Sequence, residues 1–313
     1  MNALVAEIGT KIADRWLKSL LAPGVLWVAV LTLGLIEGKA DPFAVARLSA
    51  WLNNLAARPS THAPGSILIL VAGVAAASSA IGLLAGLLGT LVEQLWGSQG
   101  HRPPAAWLLR ARRRLWYTMA SPQREAIRQA TAARLARGAG NQDHSTKELR
   151  ELDEEINKRS RRMAWIGDAC PSHPTWIGDR YARSAVRFRA VNGLDDMTLV
   201  WPRLWTVLPD TLRAEITSAR DSYGGTSRLC AWGILYLPLA VVWWPAAFLG
   251  AGIIVTGALR ARPAAENLAS LVETAADLYL AELARQLGIT QTSRTAMGHA
   301  ITDQLAGRES RSL

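Results

Sequence analysis

The sequence predicts an all-α integral membrane protein, with four transmembrane helices in two pairs and a helical cytosolic domain between the pairs. Three observations carry this. The 313-residue chain combines a formal charge of +10 with a mean hydropathy of +0.11, a pairing that requires apolar and charged residues to be segregated along the sequence. No Asp, Glu, Lys or Arg occurs in residues 59–92 or 229–259. Between these runs the chain is dense in arginine. Few lysines beside many arginines, alanines and tryptophans point to a high-GC bacterial gene.

Residues 1–18 read as an amphipathic segment, with Ala3, Val5, Ile8, Ile12, Trp16 and Leu17 on one face. Glu7 and Asp14 argue against a secretory leader, which begins with a short cationic region. A retained first crossing is expected instead. Residues 19–96 then hold the first two crossings, one between Lys18 and Glu37 and one near residues 67–92, because a hydrocarbon core of about 30 Å takes about 20 apolar residues as helix. In the second crossing Gly82 and Gly86 lie four apart among small residues, a surface on which another helix can pack closely. Gly250 and Gly252 offer the same later, within one bundle or between copies.

The apolar run at 229–259 is too long for one crossing, since its 31 residues would extend about 46 Å as helix. Pro238 and Pro245 interrupt it, and Trp243-Trp244-Pro245 reads as an interfacial turn. Residues 229–262 are therefore expected as a hairpin of two crossings, with a single kinked helix as the alternative. Basic residues near the membrane agree with this count: Lys11, Arg15 and Lys18, then Arg102 and Arg110 to Arg114, then Arg228, Arg260 and Arg262 share one side if the chain crosses four times. Both termini are then cytoplasmic in a bacterial plasma membrane, and residues 263–313 form a cytosolic helix and tail. No charge falls in the middle of a crossing, which weighs against an ion-coupled transporter.

The cytosolic domain spans residues 97–228. Residues 107–137 and 146–162 read as charged helices, the first broken at Ser121-Pro122 and the two separated by a flexible break at 138–143. Residues 101–162 hold 15 Lys or Arg against 7 Asp or Glu, a net charge of +8. Arg110, Arg112, Arg113 and Arg114 follow the second crossing closely and are the candidates for contact with anionic membrane lipid, which attracts each such residue by about 1 kcal/mol. An acidic protein partner or a homo-oligomer is the competing use. Nucleic acid is disfavoured, because no recognition motif accompanies the arginines.

Residues 163–223 are less repetitive. Trp165-Ile166-Gly167-Asp168 recurs as Trp176-Ile177-Gly178-Asp179, with two prolines between that exclude a regular helix, and Asp179 is expected to cap a helix starting near Arg180. Cys170, His173 and Asp168 suggest a metal, but the other histidines form no second ligand pair, so neither a metal nor any other cofactor is expected. A Cys170 nucleophile beside His173 lacks any sign of an activated thiolate. Further on, Leu199 to Trp205 read as an amphipathic element with its tryptophans at the membrane interface, followed by a helix capped by Asp210.

The combination of Pro174-Thr175-x-x-Gly178-Asp179, Gly193-Leu194-Asp195, Trp201-Pro202-Arg203-Leu204 and Leu208-Pro209, followed by a membrane hairpin, resembles an uncharacterised bacterial multi-pass membrane family. The likeness covers roughly residues 165–290. It implies the hairpin and brings no activity, and the family's commoner form carries Asn where Asp179 stands.

No phosphate-cradling glycine loop, zinc-protease helix or nucleophile elbow occurs. The leading expectation is a membrane protein that presents a basic domain to a partner or to anionic lipid. The alternatives are a channel or transporter, suggested by the proline- and glycine-interrupted crossings; a membrane enzyme using Asp168, Cys170, His173 and Asp179; and a component of a conjugation or phage-defence system.

Overall fold

The computed structural model describes residues 22–37, 49–50, 64–101, 103–138, 146–164, 167 and 169–307. Among these the chain is all-helical and contains no strand. The helices are α1 (Ala22–Glu37), α2 (Pro64–Gly97), α3 (Ala105–Gly138), α4 (Thr146–Ala164), α5 (Trp176–Asn192), α6 (Met197–Val207), α7 (Asp210–Tyr236), α8 (Pro245–Gln286) and α9 (Arg294–Leu305). The amphipathic segment expected over residues 1–18, the break at 139–143 and most of the first Trp-Ile-Gly-Asp copy lie outside the described residues.

The chain divides into two compact units, one from Met1–Glu93 with Arg220–Ala264 and one from Gln94–Ala219 with Ala265–Leu313. Ile67–Gly97, most of which lies in the first unit, is the one helix among the described residues long and apolar enough to cross a membrane. Ile67 to Val71, Leu83, Leu87 and Leu91 stand exposed on it, a continuous apolar surface of the kind that marks contact with something other than water. Ala22–Ile36 is apolar but shorter.

The run at 229–262 folds back on itself. α7 ends at Tyr236, a 3-10 turn follows at Leu237–Val241, and α8 starts at Pro245, where proline's missing N–H costs nothing because the first turn has no acceptor for it. The two helices then run antiparallel at very close range. A Cβ on Gly233 would lie 2.7 Å from the Gly250 carbonyl oxygen, and one on Gly257 would lie 2.6 Å from Cys230 Sγ. α1 packs here too: Trp27 Nε1–H donates to Leu235 O at 2.9 Å, and Trp27, Val30 and Leu31 meet Tyr236, Leu239 and Trp243. Trp243 is thus buried in a core, while Trp244 is exposed.

Close approach involves several glycines, among them the expected Gly250, where a Cβ would lie 2.8 Å from Gly233 O. Gly24 lies directly on the Ser78 backbone, and a Cβ on Gly89 would meet the Arg228 side chain at 3.2 Å, whereas one on Gly86 would meet nothing within 4 Å; Gly252 is equally open. Gly82 is buried. A four-residue spacing identifies a face but not which glycine on it touches a neighbour. At the end of this unit's α2 segment, Glu93 accepts from Arg220 Nη2 at 2.7 Å and from Ser227 Oγ at 2.9 Å.

In the second unit α3 runs unbroken through Pro122, contrary to the expected interruption. Proline removes one backbone bond, and because Pro122 is exposed water can serve the carbonyl it leaves open. α3 pairs with α4, with Arg134 Nη2 on Asp153 Oδ1 at 2.5 Å. The main core gathers Phe188 of α5, Val200 and Leu204 of α6, Leu208, Ile216 of α7, Leu280 and Leu283 of α8, and Ile301 of α9. Each such side chain contributes about 1.5–3 kcal/mol by leaving water. Trp201 and Trp205, expected at a membrane interface, pack partly buried against this core with ring centroids 5.7 Å apart. Their spacing of four puts both on the face of α6 that also carries Val200 and Leu204.

Two glycines fix the turn after α5. Gly193 adopts φ +67, closes the helix by donating to Arg189 O, and lies directly on the Thr295 backbone; Gly298 of α9 lies on the Asn192 backbone. Only glycine combines the left-handed conformation with that proximity.

Candidate functional site

The site is built around the start of α5. Thr175 is its N-cap: the extended residue accepts the Gly178 N–H on Oγ1 at 3.1 Å and donates the same hydroxyl to Trp96 O at 2.7 Å. The helix therefore starts at Trp176, four residues before the position expected from Asp179. Thr175, following a proline, supplies the cap that was expected of Asp179. A Cβ on Gly178 would stand 2.7 Å from His173 Cβ and 2.9 Å from Trp96 O, so the Pro174-Thr175-x-x-Gly178 pattern is explained by a cap and a close backbone approach.

Asp179, one turn into the helix, reaches back over the preceding loop. Its Oδ1 accepts from Ser172 N at 3.0 Å, Ser172 Oγ at 2.8 Å and His173 N at 2.9 Å, with His173 Nδ1 at 3.3 Å. Its Oδ2 accepts from Arg112 Nη1 at 2.6 Å. Burial alone would push the carboxyl pKa up. The Ser172 bond, the Arg112 charge and bond, and the His173 amide outweigh burial and hold it below the ordinary aspartate value. The helix N-terminus favours the same ionised form.

α3 supplies the other half of the clamp. Arg112 Nη1 also donates to His173 O at 2.9 Å, Arg113 Nε to Pro171 O at 2.9 Å, and Trp116 Nε1 to Gly167 O at 3.1 Å. The four arginines grouped on sequence as lipid or partner contacts thus divide. The Arg112 side chain is 12% exposed in an ion pair with Asp179, so its guanidinium is turned inward, and Arg113, though exposed, gives its Nε to the loop. Arg110 and Arg114 are exposed, and Arg110 Nε donates to Ala106 O of its own helix, at 3.3 Å. Helical geometry gives the reason: Ala105, Leu109, Arg112, Trp116 and Ala120 share the inward face, and Arg110 and Arg114 fall opposite.

A second ionic cluster lies along α5 and α8. Buried Arg180 donates through Nε to Glu266 Oε2 at 2.8 Å, and through Nη1 to Glu273 Oε1 and to Ser184 Oγ, both at 2.7 Å. Ser184 Oγ donates to Glu273 Oε1 at 2.7 Å, and Arg187 Nη2 meets Asp277 Oδ2 at 2.5 Å. Burial would raise the Glu273 pKa, but the Arg180 and Ser184 bonds and the Arg180 and Arg187 charges prevail and lower it. Burial would lower that of Arg180, and the bonds to Glu273 and Glu266 raise it instead. This cluster was not singled out in the sequence. Arg180, Ser184 and Arg187 do share a helical face, as do Glu266, Glu273 and Asp277, but nothing in the sequence pairs segments some 90 residues apart.

Between the two clusters opens a cavity of about 690 Å³, lined by Cys170, Ser172, Trp176, Asp179, Arg183 and Glu266 among others. Arg183 lies over the Trp176 ring at 5.7 Å, and the Cys170 thiol faces Tyr117 Oη at 3.7 Å. Of the charged groups in the walls, Asp179 is paired with Arg112, and Arg180 with Glu266. Among the described residues no three His, Cys, Asp or Glu side chains gather as a metal ion would need. Trp201, Pro202 and Arg203 sit apart from the clamp, on α6: Pro202 is exposed within the helix, and exposed Arg203 bonds back to Leu199 O at 3.0 Å.

Among the described residues this architecture is all-helical, with one candidate membrane-spanning helix and an internally cross-braced basic unit. No protein-family model, curated protein or solved structure matches the chain. The resemblance on the Pro-Thr-x-x-Gly and Trp-Pro-Arg-Leu motifs therefore stands on those residues alone.

Proposed function

We propose that this is a bacterial plasma-membrane protein, crossing four times with both termini cytoplasmic, whose basic helical unit engages anionic lipid. The observation that carries the reading is the division of the arginines: Arg112 and Arg113 brace the loop, and that bracing orients α3 so that Arg110 and Arg114 face outward. No Asp or Glu occurs between Glu93 and Glu125 along the chain. At about 1 kcal/mol for each arginine near an anionic leaflet, the two together favour the bound state roughly 30-fold. The exposed apolar surface of α2 and the α7–α8 turn support the membrane setting.

Lipid co-purification tests this. Protein extracted in mild detergent should retain phosphatidylglycerol or cardiolipin in excess over phosphatidylethanolamine, and R110Q/R114Q should lose most of that excess. Retention in membrane proportions by the unaltered protein would reject the reading.

A further inference from the structure

We infer that the outward face of α3's first four turns is an interfacial helix that lies in the headgroup layer of an anionic bilayer. This rests on the lipid reading above and adds a mode of binding: insertion of apolar side chains beside the arginines, in place of charge attraction at a distance. Trp107, Leu108 and Leu115 are exposed, Trp107 to 62%, together with Ala111, Arg110 and Arg114. At 100° per residue, Trp107, Ala111, Arg114 and Leu115 fall within one arc of the helix, with Leu108 and Arg110 on its two borders. The opposite arc holds Ala105, Leu109, Trp116 and Ala120, all buried.

Both faces of α3 are therefore apolar, and only the inner one is covered by protein. The outer face joins a tryptophan and two leucines to arginines, in a stretch of chain that carries no Asp or Glu. Tryptophan prefers the headgroup level, leucine the acyl boundary, and arginine the phosphates, which is the residue set of a helix lying in an interface. A water-facing helix gains nothing from an exposed Trp107 or Leu115. The tether also fits: residues 98–104 separate α2 from α3, and seven residues span at most about 25 Å, so the first turn of α3 stays within reach of the end of the apolar helix. The occupant to which the face is matched is an anionic phospholipid surface.

Depth measurement by spin labels tests this on the full chain. Single labels replace Leu108, Ala111 or Leu115 in a Cys170→Ser background, with Thr131→Cys, exposed farther along α3, as the aqueous control. The protein is reconstituted in nanodiscs of phosphatidylcholine alone or in equal mixture with phosphatidylglycerol. With phosphatidylglycerol, the ratio of oxygen to water-soluble nickel accessibility at 108, 111 and 115 should exceed that at 131 several-fold. That excess should shrink in phosphatidylcholine alone and in R110Q/R114Q.

Water-like values at all four positions in both lipids would overturn the inference. If anionic lipid still co-purified, the broader lipid reading would survive that result. Equal insertion in both compositions would overturn the role given to the arginines. Labels shielded from both reagents, in detergent as well as in nanodiscs, would show the face covered by a second copy or another protein, and would overturn the inference too.

Discussion

Replacing Asp179 should open the loop at Ser172 and His173 without unfolding the helices. In D179A the loop loses the acceptor of two backbone amides and one hydroxyl, and Arg112 loses its counter-ion while remaining largely buried. A hydrogen bond to a charged group contributes about 1.5–3 kcal/mol, and removing one partner of a buried pair costs about 3–5. These terms overlap, and the residual exposure of the pair reduces them, so about 3 kcal/mol is expected for the loop as a whole. In D179N the amide oxygen still accepts the Ser172 and His173 N–H groups and only the ionic part is lost, about 1.5 kcal/mol. Since 1.4 kcal/mol is a factor of ten, amide exchange at Ser172 and His173, corrected for intrinsic rate, should accelerate on the order of 100-fold in D179A and about 10-fold in D179N. The N-cap amide of Gly178 should respond less, because Thr175 holds it. Unchanged exchange at Ser172 and His173 in both variants would refute the clamp.

Other perturbations follow from the same contacts. The Asp179 and Glu273 carboxyls are held below their ordinary values, so their stabilisation is complete above the unfolded pKa values of about 4 and is lost as pH falls through the lower folded ones. Unfolding temperature should thus drop below about pH 4 more steeply in the unaltered protein than in D179N/E273Q. R180A strands Glu273 and part of Glu266 and should cost about 3 kcal/mol, an apparent fall of roughly 6–12 °C. G193A, strained at φ +67 and set against the Thr295 backbone, should greatly reduce the folded yield. G86A should leave the stability of the monomer unchanged, whereas G257A, aimed at Cys230 Sγ, should lower it. With one thiol exposed and one buried, maleimide should modify Cys170 in the native protein and reach Cys230 only after denaturation.

Much of the helical content was legible because it depends on local rules. The apolar runs announced helices, and the Trp-Trp-Pro sequence announced the turn before α8. What failed to show were partners set by the fold. Thr175 and Asp179 are both good caps, and only the approach of Trp96 to Thr175 and of Arg112 to Asp179 assigns one to the cap and the other to the loop. Adjacent arginines look alike in a list, yet consecutive residues on a helix point 100° apart, so Arg112 turns inward and Arg114 outward. Pro122 misled because a proline's cost depends on whether its carbonyl partner is exposed. The Arg180 cluster was invisible for want of any cue joining α5 to α8.

Membrane topology bears most directly on the central claim that a multi-pass anchor holds the basic unit against the cytoplasmic leaflet. Paired phosphatase and fluorescent reporters fused after His144, at Trp244 and after Leu313 would read it in cells. Four crossings require phosphatase activity only at Trp244 and fluorescence at His144 and Leu313. Phosphatase activity at Leu313 would contradict the four-pass arrangement, and activity at His144 would remove the basic unit from the anionic leaflet it is proposed to meet.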